Sequence, residues 1–198
     1  RNKALIGWID ALGTLEKCST CKPVDENAFL KPDLKWIQKQ KESLKNKLLY
    51  VYNNRSEGKH HYIEMVRGVR NPKFKNENAY SEMTYPDDGF RLLALYRYWN
   101  MIEYFFPYKH LMDTDWNSKL GEYIPQFINA KNELDYEFAA LQIIGEVIDT
   151  HANLWGGGDK IREWKGSNYA PIHVRFIENQ LTVTDYYNEE LKSEVGLQ

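Results

Sequence analysis

Arg91-Leu-Leu-Ala-Leu-Tyr-Arg-Tyr-Trp-Asn-Met-Ile-Glu-Tyr-Phe-Phe106 is the stretch of sequence that decides the fold class. Apolar and aromatic side chains occupy almost every side of this segment when it is drawn as a helix. Polar residues interrupt them only at Arg91, Arg97, Asn100 and Glu103. Because such a helix needs apolar partners all round, we expect other helices to bury it.

Start and stop signals around this segment predict further helices. Pro86-Asp87-Asp88-Gly89 is a capping and turn signal, and Pro107 ends the helix. Asp113-Thr114-Asp115 predicts the start of the next helix, which Pro125 is expected to bend.

A third helix is predicted from a capping box, in which Asn132 is followed three residues later by Asp135. Its apolar face is formed by Leu134, Phe138, Leu141, Ile144 and Ile148. We expect this helix to continue to Asp149-Thr150-His151-Ala152.

The first third of the chain is predicted to contain two more helices. Apolar residues at helical spacing over residues 3–12 indicate the first, with Gly13 as a left-handed stop. Residues 34–52 have a helical but lysine-rich pattern, whose charge we interpret as a solvated helix face. Between these helices and the central segment, residues 62–66 form the only predicted strand.

The pattern changes after Trp155. Gly156-Gly-Gly158 is a flexible break, and it is too unlike a phosphate-binding loop in spacing to predict one. Residues 172–177 and 181–184 alternate between apolar and polar side chains, which predicts a β-hairpin. A short helix ending in glycine is predicted over residues 189–196.

The expected fold class is mainly α, followed by an incomplete β-hairpin unit. We predict a helical domain over residues 1–155, a linker over 156–169 and a truncated β unit over 170–198. A lone hairpin is marginal in water, so we expect the β unit to continue beyond this chain. The first residue is Arg1 rather than Met, and we expect sequence upstream of it as well.

Composition excludes several classes of protein. The 198 residues contain 26 Lys+Arg and 28 Asp+Glu, and the balance lacks the basic excess typical of nucleic-acid-binding proteins. No apolar run is long enough to span a membrane. A hydrophobic content of 42%, with 14% aromatic residues, is sufficient for a packed core and excludes a wholly disordered chain.

Two features could hold a metal ion. Cys18 and Cys21 form a Cys-x-x-Cys pair, for which a local disulfide or two free thiols, a metal site and a redox pair all remain open. His60 and His61 are adjacent, and we interpret them as exposed loop residues rather than ligands. No metal or cofactor site is predicted.

His151 is the most interesting titratable residue of the chain. It lies at the expected C-terminal end of a helix, beside Asp149, Thr150 and a glycine-rich break. Imidazole is the usual general base at neutral pH, but a histidine at this position can also cap the last carbonyls of a helix. The spacing leaves both roles open. The aromatic residues between Tyr96 and Tyr108 are interpreted as core rather than the floor of a ligand cleft.

The order of these features resembles a known family. The segment from Phe90 to Tyr108, with Ile143-Ile-Gly-Glu-Val-Ile-Asp-Thr-His-Ala152, is similar to the N-terminal helical domain of bacterial C-terminal processing, tricorn-type serine peptidases. The predicted hairpin from Pro171 to Thr184 resembles the opening of the PDZ-like domain that follows in that family.

The resemblance implies a function for the whole protein. It implies that His151 is the general base for a serine that lies outside this chain, together with its orienting acid, and that this chain alone does not hydrolyse peptides. The implied substrates are peptides or unfolded protein tails, and the implied location is extracytoplasmic: periplasmic, secreted or anchored at the cell envelope. In such a compartment Cys18 and Cys21 could oxidise. The alternative is a non-catalytic peptide-binding or scaffolding module with helical and PDZ-like parts.

Overall fold

The computed structural model describes residues 1–24, 31–55, 60–69, 71–188 and 190. Helices dominate this part of the chain, which is mainly α and contains two small antiparallel hairpins. In chain order its elements are α1 (Asn2–Ala11), α2 (Leu34–Gln38), α3 (Glu42–Asn53), β1 (Ile63–Met65), β2 (Pro72–Phe74), α4 (Asp88–Phe105), a 3-10 turn (Lys109–Leu111), α5 (Trp116–Asn129), α6 (Glu133–Gly145), α7 (Asp159–Lys165), β3 (Ile172–Ile177) and β4 (Gln180–Tyr186).

The main core lies between α4, α5 and α6. Its buried members come from all three helices and from the turn after α6: Leu95, Trp116, Tyr123, Phe127, Ala139, Ile143 and Val147. The indole of Trp99 donates to the carbonyl of Trp116, and the indole of Trp116 donates to the carbonyl of Trp99. This reciprocal pair joins α4 to the start of α5 and satisfies both polar N–H groups inside an apolar core.

The complete burial predicted for α4 is wrong. Of its eighteen residues only Arg91 and Leu95 are buried, whereas Tyr96 and Tyr104 are 38% and 46% exposed. The reason is that α5 covers one side of α4, while the small β1–β2 hairpin reaches the other side only through contacts such as Phe74 with Phe105.

Arg91 joins α4 to the end of α5 through hydrogen bonds. Its guanidinium donates to the carbonyls of Phe127 and Ile128, at 2.7 and 2.9 Å, and to that of Pro86 at 2.6 Å. The last carbonyls of a helix have no hydrogen-bond donor within the helix. Arg91 therefore supplies donors for two of the carbonyls at the end of α5. It also places a positive charge at the negative end of the helix dipole.

The capping predictions are confirmed. Asp87 caps α4 by accepting from the amide of Phe90, and Asp115 accepts from the amide of Asn117 at the start of α5. Asn132 caps α6 by accepting from the amide of Asp135. The Asp135 carboxylate reaches back to the amide of residue 131, one position before the cap.

The N-terminal helices form a small unit, in which α1 and α2 both contact α3. The predicted helix over 3–12 is confirmed as α1, and Gly13 follows it with a φ of 101°. The helix predicted over 34–52 is broken into α2 and α3. Each of the two helices buries one apolar side chain, Ile37 in α2 and Leu44 in α3, and the helices contact each other.

Both hairpins are antiparallel, and the β3–β4 pair contains a β-bulge between His173 and Val174, opposite Thr184. The predicted strand at 62–66 is confirmed as β1, and its partner β2 was not predicted. The hairpin predicted over 172–184 is confirmed as β3 and β4, which turn through Glu178 and Asn179. Both turn residues have positive φ, as a two-residue turn that matches the strand twist requires. The helix predicted over 189–196 lies outside the described residues, apart from residue 190.

The linker expected over residues 156–169 contains a helix, α7, that was not predicted. The buried carboxylate of Glu137, on α6, accepts from the amides of Lys160 and Ile161 at 3.3 and 2.8 Å. These amides belong to the first turn of α7 and have no partner within it, so Glu137 acts as a cap from another helix. The ring of Trp164 also packs edge-on against Phe138 at 5.2 Å.

Candidate functional site

The turn that follows α6 positions His151. The predicted extension of α6 to this histidine is wrong, because the helix ends at Gly145. The amides of Val147 and Ile148 bond three residues back, to Ile144 and Gly145, which tightens the last turn. His151 therefore does not cap α6, since five residues separate it from the last helical one and its ring contacts Asp149 instead.

A strained residue lies at the start of this turn. Ile148 has a φ of 54°, a left-handed conformation that is unusual for a β-branched side chain, and it is 70% exposed. Val147 on one side is buried in the core, and Ala152 on the other side packs against the same core. The two anchors hold residues 148–151 in a short projection from the helical body.

Asp149 binds both the backbone and the side chain of His151. Its Oδ1 accepts from the amide of His151 at 2.8 Å and lies 2.9 Å from the imidazole Nδ1. The carbonyl of Asp149 accepts from the amide of Ala152 at 2.9 Å. These contacts close a short turn over residues 149–152, in which the aspartate side chain replaces a backbone acceptor.

Electrostatics at this pair favour an ionised carboxylate. The hydrogen bond from the His151 amide, followed by that from its side chain, lowers the pKa of Asp149 below its ordinary value. The His151 side chain is 95% exposed, whereas the Asp149 side chain is 29% exposed. A neutral imidazole that donates Nδ1–H to Asp149 has its lone pair on Nε2, and the exposure of this side chain leaves Nε2 open to solvent.

This arrangement matches two of the three parts of a serine–histidine–acid unit. In units of that kind the carboxylate fixes the tautomer of the imidazole and stabilises the imidazolium that forms when Nε2 takes a proton. The orienting acid is expected outside the chain, and the contact between Asp149 and His151 was not predicted. The signal that could have found it is the Asp-x-His spacing, which suits an aspartate that accepts from the amide two residues later.

The other candidate residues lie elsewhere. Cys18 and Cys21 form a disulfide with their Cα atoms 5.6 Å apart, so neither sulfur is a thiolate ligand, and the local-disulfide interpretation is confirmed. His60 and His61 are exposed, and His61 packs edge-on against Tyr62. Within the described residues no cluster of three or more His, Cys, Asp or Glu side chains could hold a metal ion.

The central aromatic residues divide between core and surface. Tyr98, Trp99 and Phe106 pack against the core, as predicted, whereas Tyr104 and Tyr108 are 46% and 57% exposed. Burial raises the pKa of Tyr98 to about 12.

No family model, curated protein or solved structure matches the chain. The resemblance to processing peptidases therefore stands on the quoted residues alone, and the geometry of the Asp149–His151 pair is an independent observation. Across the described segments, no helix is both long enough and apolar enough to cross a membrane.

Proposed function

We propose that this chain is the N-terminal part of a serine endopeptidase of the C-terminal processing or tricorn type. In this proposal His151 is the general base, Asp149 orients it, and the serine is supplied from outside the chain. The observation that carries the proposal is the 2.9 Å contact between Asp149 Oδ1 and His151 Nδ1, which leaves Nε2 exposed.

The proposed reaction has two steps, acylation of the serine and hydrolysis of the acyl-enzyme, and His151 transfers the proton in both. Nε2 of His151 takes the serine Oγ proton as Oγ attacks the scissile carbonyl, and Asp149 stabilises the resulting imidazolium. The same proton then passes to the leaving amine, which frees the new N-terminus and leaves an acyl-enzyme. Water, deprotonated by the same imidazole, then attacks the ester carbonyl, and the imidazolium returns this proton to the serine Oγ as the acyl–oxygen bond breaks, which releases the carboxyl product and restores the enzyme.

The exposure of the pair is consistent with a site completed by another part of the protein. A histidine with a 95% exposed side chain has room for a serine to approach Nε2. The strain at Ile148 adds support, because residues in sparsely populated backbone regions cluster at functional sites.

The test uses the complete protein that contains this chain, assayed on an unfolded peptide substrate and with a fluorophosphonate probe for reactive serines. We expect His151→Ala to lower kcat/KM by about 10⁴-fold or more. We expect Asp149→Asn to lower it by about 10³- to 10⁴-fold, because the wrong tautomer is then favoured. His60→Gln, at another exposed histidine, is the matched control and should retain activity. Full activity of His151→Ala would refute the proposal.

A second measurement tests the pair in the 198-residue chain itself. Nitrogen chemical shifts of the His151 ring should show the proton on Nδ1 in the wild type, and a shift of the population toward Nε2–H in Asp149→Asn. The ring of His60 should be unchanged by that substitution. An Nε2–H tautomer in the wild type would remove Asp149 from the proposed unit.

The second candidate function is a non-catalytic module that holds a peptide. The β3–β4 sheet favours it, since within the described residues neither strand has a further neighbour, and a free edge can accept a peptide as an added strand. The start of a PDZ-like domain would bind a peptide in the same way, by pairing it with a free strand edge. A complete protein that binds the peptide but is not labelled by the fluorophosphonate would support this candidate over the peptidase.

We further propose an extracytoplasmic location. The Cys18–Cys21 disulfide supports it, because such bonds persist in oxidising compartments. Fractionation of cells that produce the complete protein tests it, and recovery of the protein with both cysteines reduced in the cytosolic fraction would contradict it.

A further inference from the structure

Charge is distributed unevenly along the chain. Residues 1–55 contain eleven Lys and Arg against six Asp and Glu, whereas residues 56–198 contain fifteen against twenty-two. The unit built from α1, α2 and α3 therefore has a formal charge of +5 in a chain whose total is -2. Exposed lysines of this unit include Lys35, Lys39 and Lys41, on and beside α2.

The same unit exposes apolar side chains on α1. None of the ten residues of α1 is buried, and Trp8 and Leu12, one turn apart, are 62% and 69% exposed. Leu12 also lines a groove of about 440 Å³ together with Tyr50 and Val51 of α3, which are 43% and 39% exposed. We call these four residues the α1–α3 face.

We propose that the α1–α3 face binds the surface of a bilayer that contains anionic phospholipids. The excess positive charge of the unit is complementary to such a surface, which attracts basic residues by about 1 kcal/mol each and needs no match of individual ion pairs. Indole and phenol rings such as those of Trp8 and Tyr50 are favoured at the level of the lipid head groups.

The geometry fits a helix that lies on the membrane rather than one that spans it. Ten residues of helix are about 15 Å long, half the thickness of the hydrocarbon core. α1 rests on α3, with Lys47 paired to Asp10 between them, so its exposed side chains are held in place before binding. A partner protein with an acidic patch would also complement the positive charge of the unit. The exposed Trp8 and Leu12 favour a membrane instead, because a bilayer offers an apolar interior beneath its anionic head groups.

Flotation of the 198-residue chain with vesicles tests the proposal. We expect retention on vesicles of 30% phosphatidylglycerol in phosphatidylcholine, little on phosphatidylcholine alone, and at least a tenfold loss of affinity between 0.1 and 0.5 M NaCl. The double variant Trp8→Ser with Leu12→Ser should bind at least tenfold more weakly. Trp155→Ser, at an indole that is 80% exposed outside residues 1–55, should bind like the wild type.

A second pair of variants tests the charge. Lys35→Gln with Lys39→Gln should weaken binding by about 10- to 30-fold, whereas Lys131→Gln, at an exposed lysine outside the unit, should leave it unchanged. Circular dichroism checks that each variant is folded.

Several results would overturn the proposal. They are no retention on anionic vesicles, equal retention on both lipid compositions, and unchanged binding of the Trp8 and Leu12 double variant. Binding to polyglutamate but not to vesicles would show that the unit binds acidic proteins and not a membrane. A dimer that the double variant abolishes would show that a second copy of the chain covers the face. None of these outcomes depends on whether His151 is catalytic.

Discussion

Replacing Arg91 with Met should destabilise the helical domain more than any exposed substitution on α4. Methionine keeps much of the aliphatic volume of the side chain but removes the guanidinium. Three carbonyls, those of Pro86, Phe127 and Ile128, then lose a donor in a site where Arg91 is only 4% exposed. The 2.5 Å ion pair with Asp88 is also lost, but that carboxylate is 66% exposed and contributes little.

The magnitude follows from these contacts. A buried acceptor that is left without a donor costs about 1–3 kcal/mol, and water can reach part of this site in the variant. We therefore expect the free energy of unfolding to fall by about 3–5 kcal/mol, which is less than three fully orphaned acceptors would cost because water recovers part of the loss. For a chain of this size that corresponds to a decrease in Tm of about 6–20 °C.

Urea denaturation followed by circular dichroism provides the assay, with Arg97→Met as the matched control. Arg97 is on the same helix, but its side chain is 27% exposed and donates to one carbonyl, that of Asn78. We expect the control to lose about 1 kcal/mol or less. If Arg91→Met is no less stable than Arg97→Met, the guanidinium does not hold α4 to the end of α5, and the reasoning is refuted.

Three further predictions concern the turn after α6, the cap of α7 and the ion pairs of α5. Ile148→Gly should stabilise the chain by about 1 kcal/mol in a urea titration, because glycine adopts the left-handed conformation without steric cost; a loss of stability would show that Ile148 is not strained. Glu137→Ala should leave the first amides of α7 without an acceptor, so their hydrogen exchange should accelerate while that of α5 stays slow; unchanged exchange would contradict the cap. The pKa of Glu122 is lowered by its hydrogen bond from Lys119, so that contribution to stability is present above its ordinary value of 4.5 and lost as the pH falls through the lowered pKa. Lys119→Met should accordingly lower the urea midpoint at neutral pH, and its difference from the wild type should shrink below pH 4.5. A difference that stays constant with pH would show that the ion pair does not contribute to stability.

Local signals in the sequence were sufficient for much of the fold. The caps Asp115 and Asn132 and the β3–β4 hairpin depend on interactions within a few residues, which spacing and residue type reveal. The partner strand β2 was missed because it begins with a proline and contains only three residues, too few to show alternation.

Features that depend on distant contacts could not be predicted in this way. α7 was missed because its cap is Glu137, which lies more than twenty residues earlier in the chain. The exposure of α4 depends on which of its sides has a neighbour, and its composition does not reveal this. At the candidate site the position of His151 was recognised, but its partner Asp149 became evident only once the end of α6 was known.

The cap that Glu137 places on α7 also affects how mechanical load travels along the chain. The turn that carries His151 lies between α6 and α7, and Glu137 fastens the far end of this segment back onto α6. A pull applied from the β3–β4 side therefore reaches α7 and its cap before it reaches His151. Gly166 ends α7 with a φ of 76°, a left-handed conformation that glycine adopts without steric cost, and its amide donates to the carbonyls of Arg162 and Glu163. His151 therefore lies inside a segment whose two ends, α6 and α7, are joined to each other by Glu137.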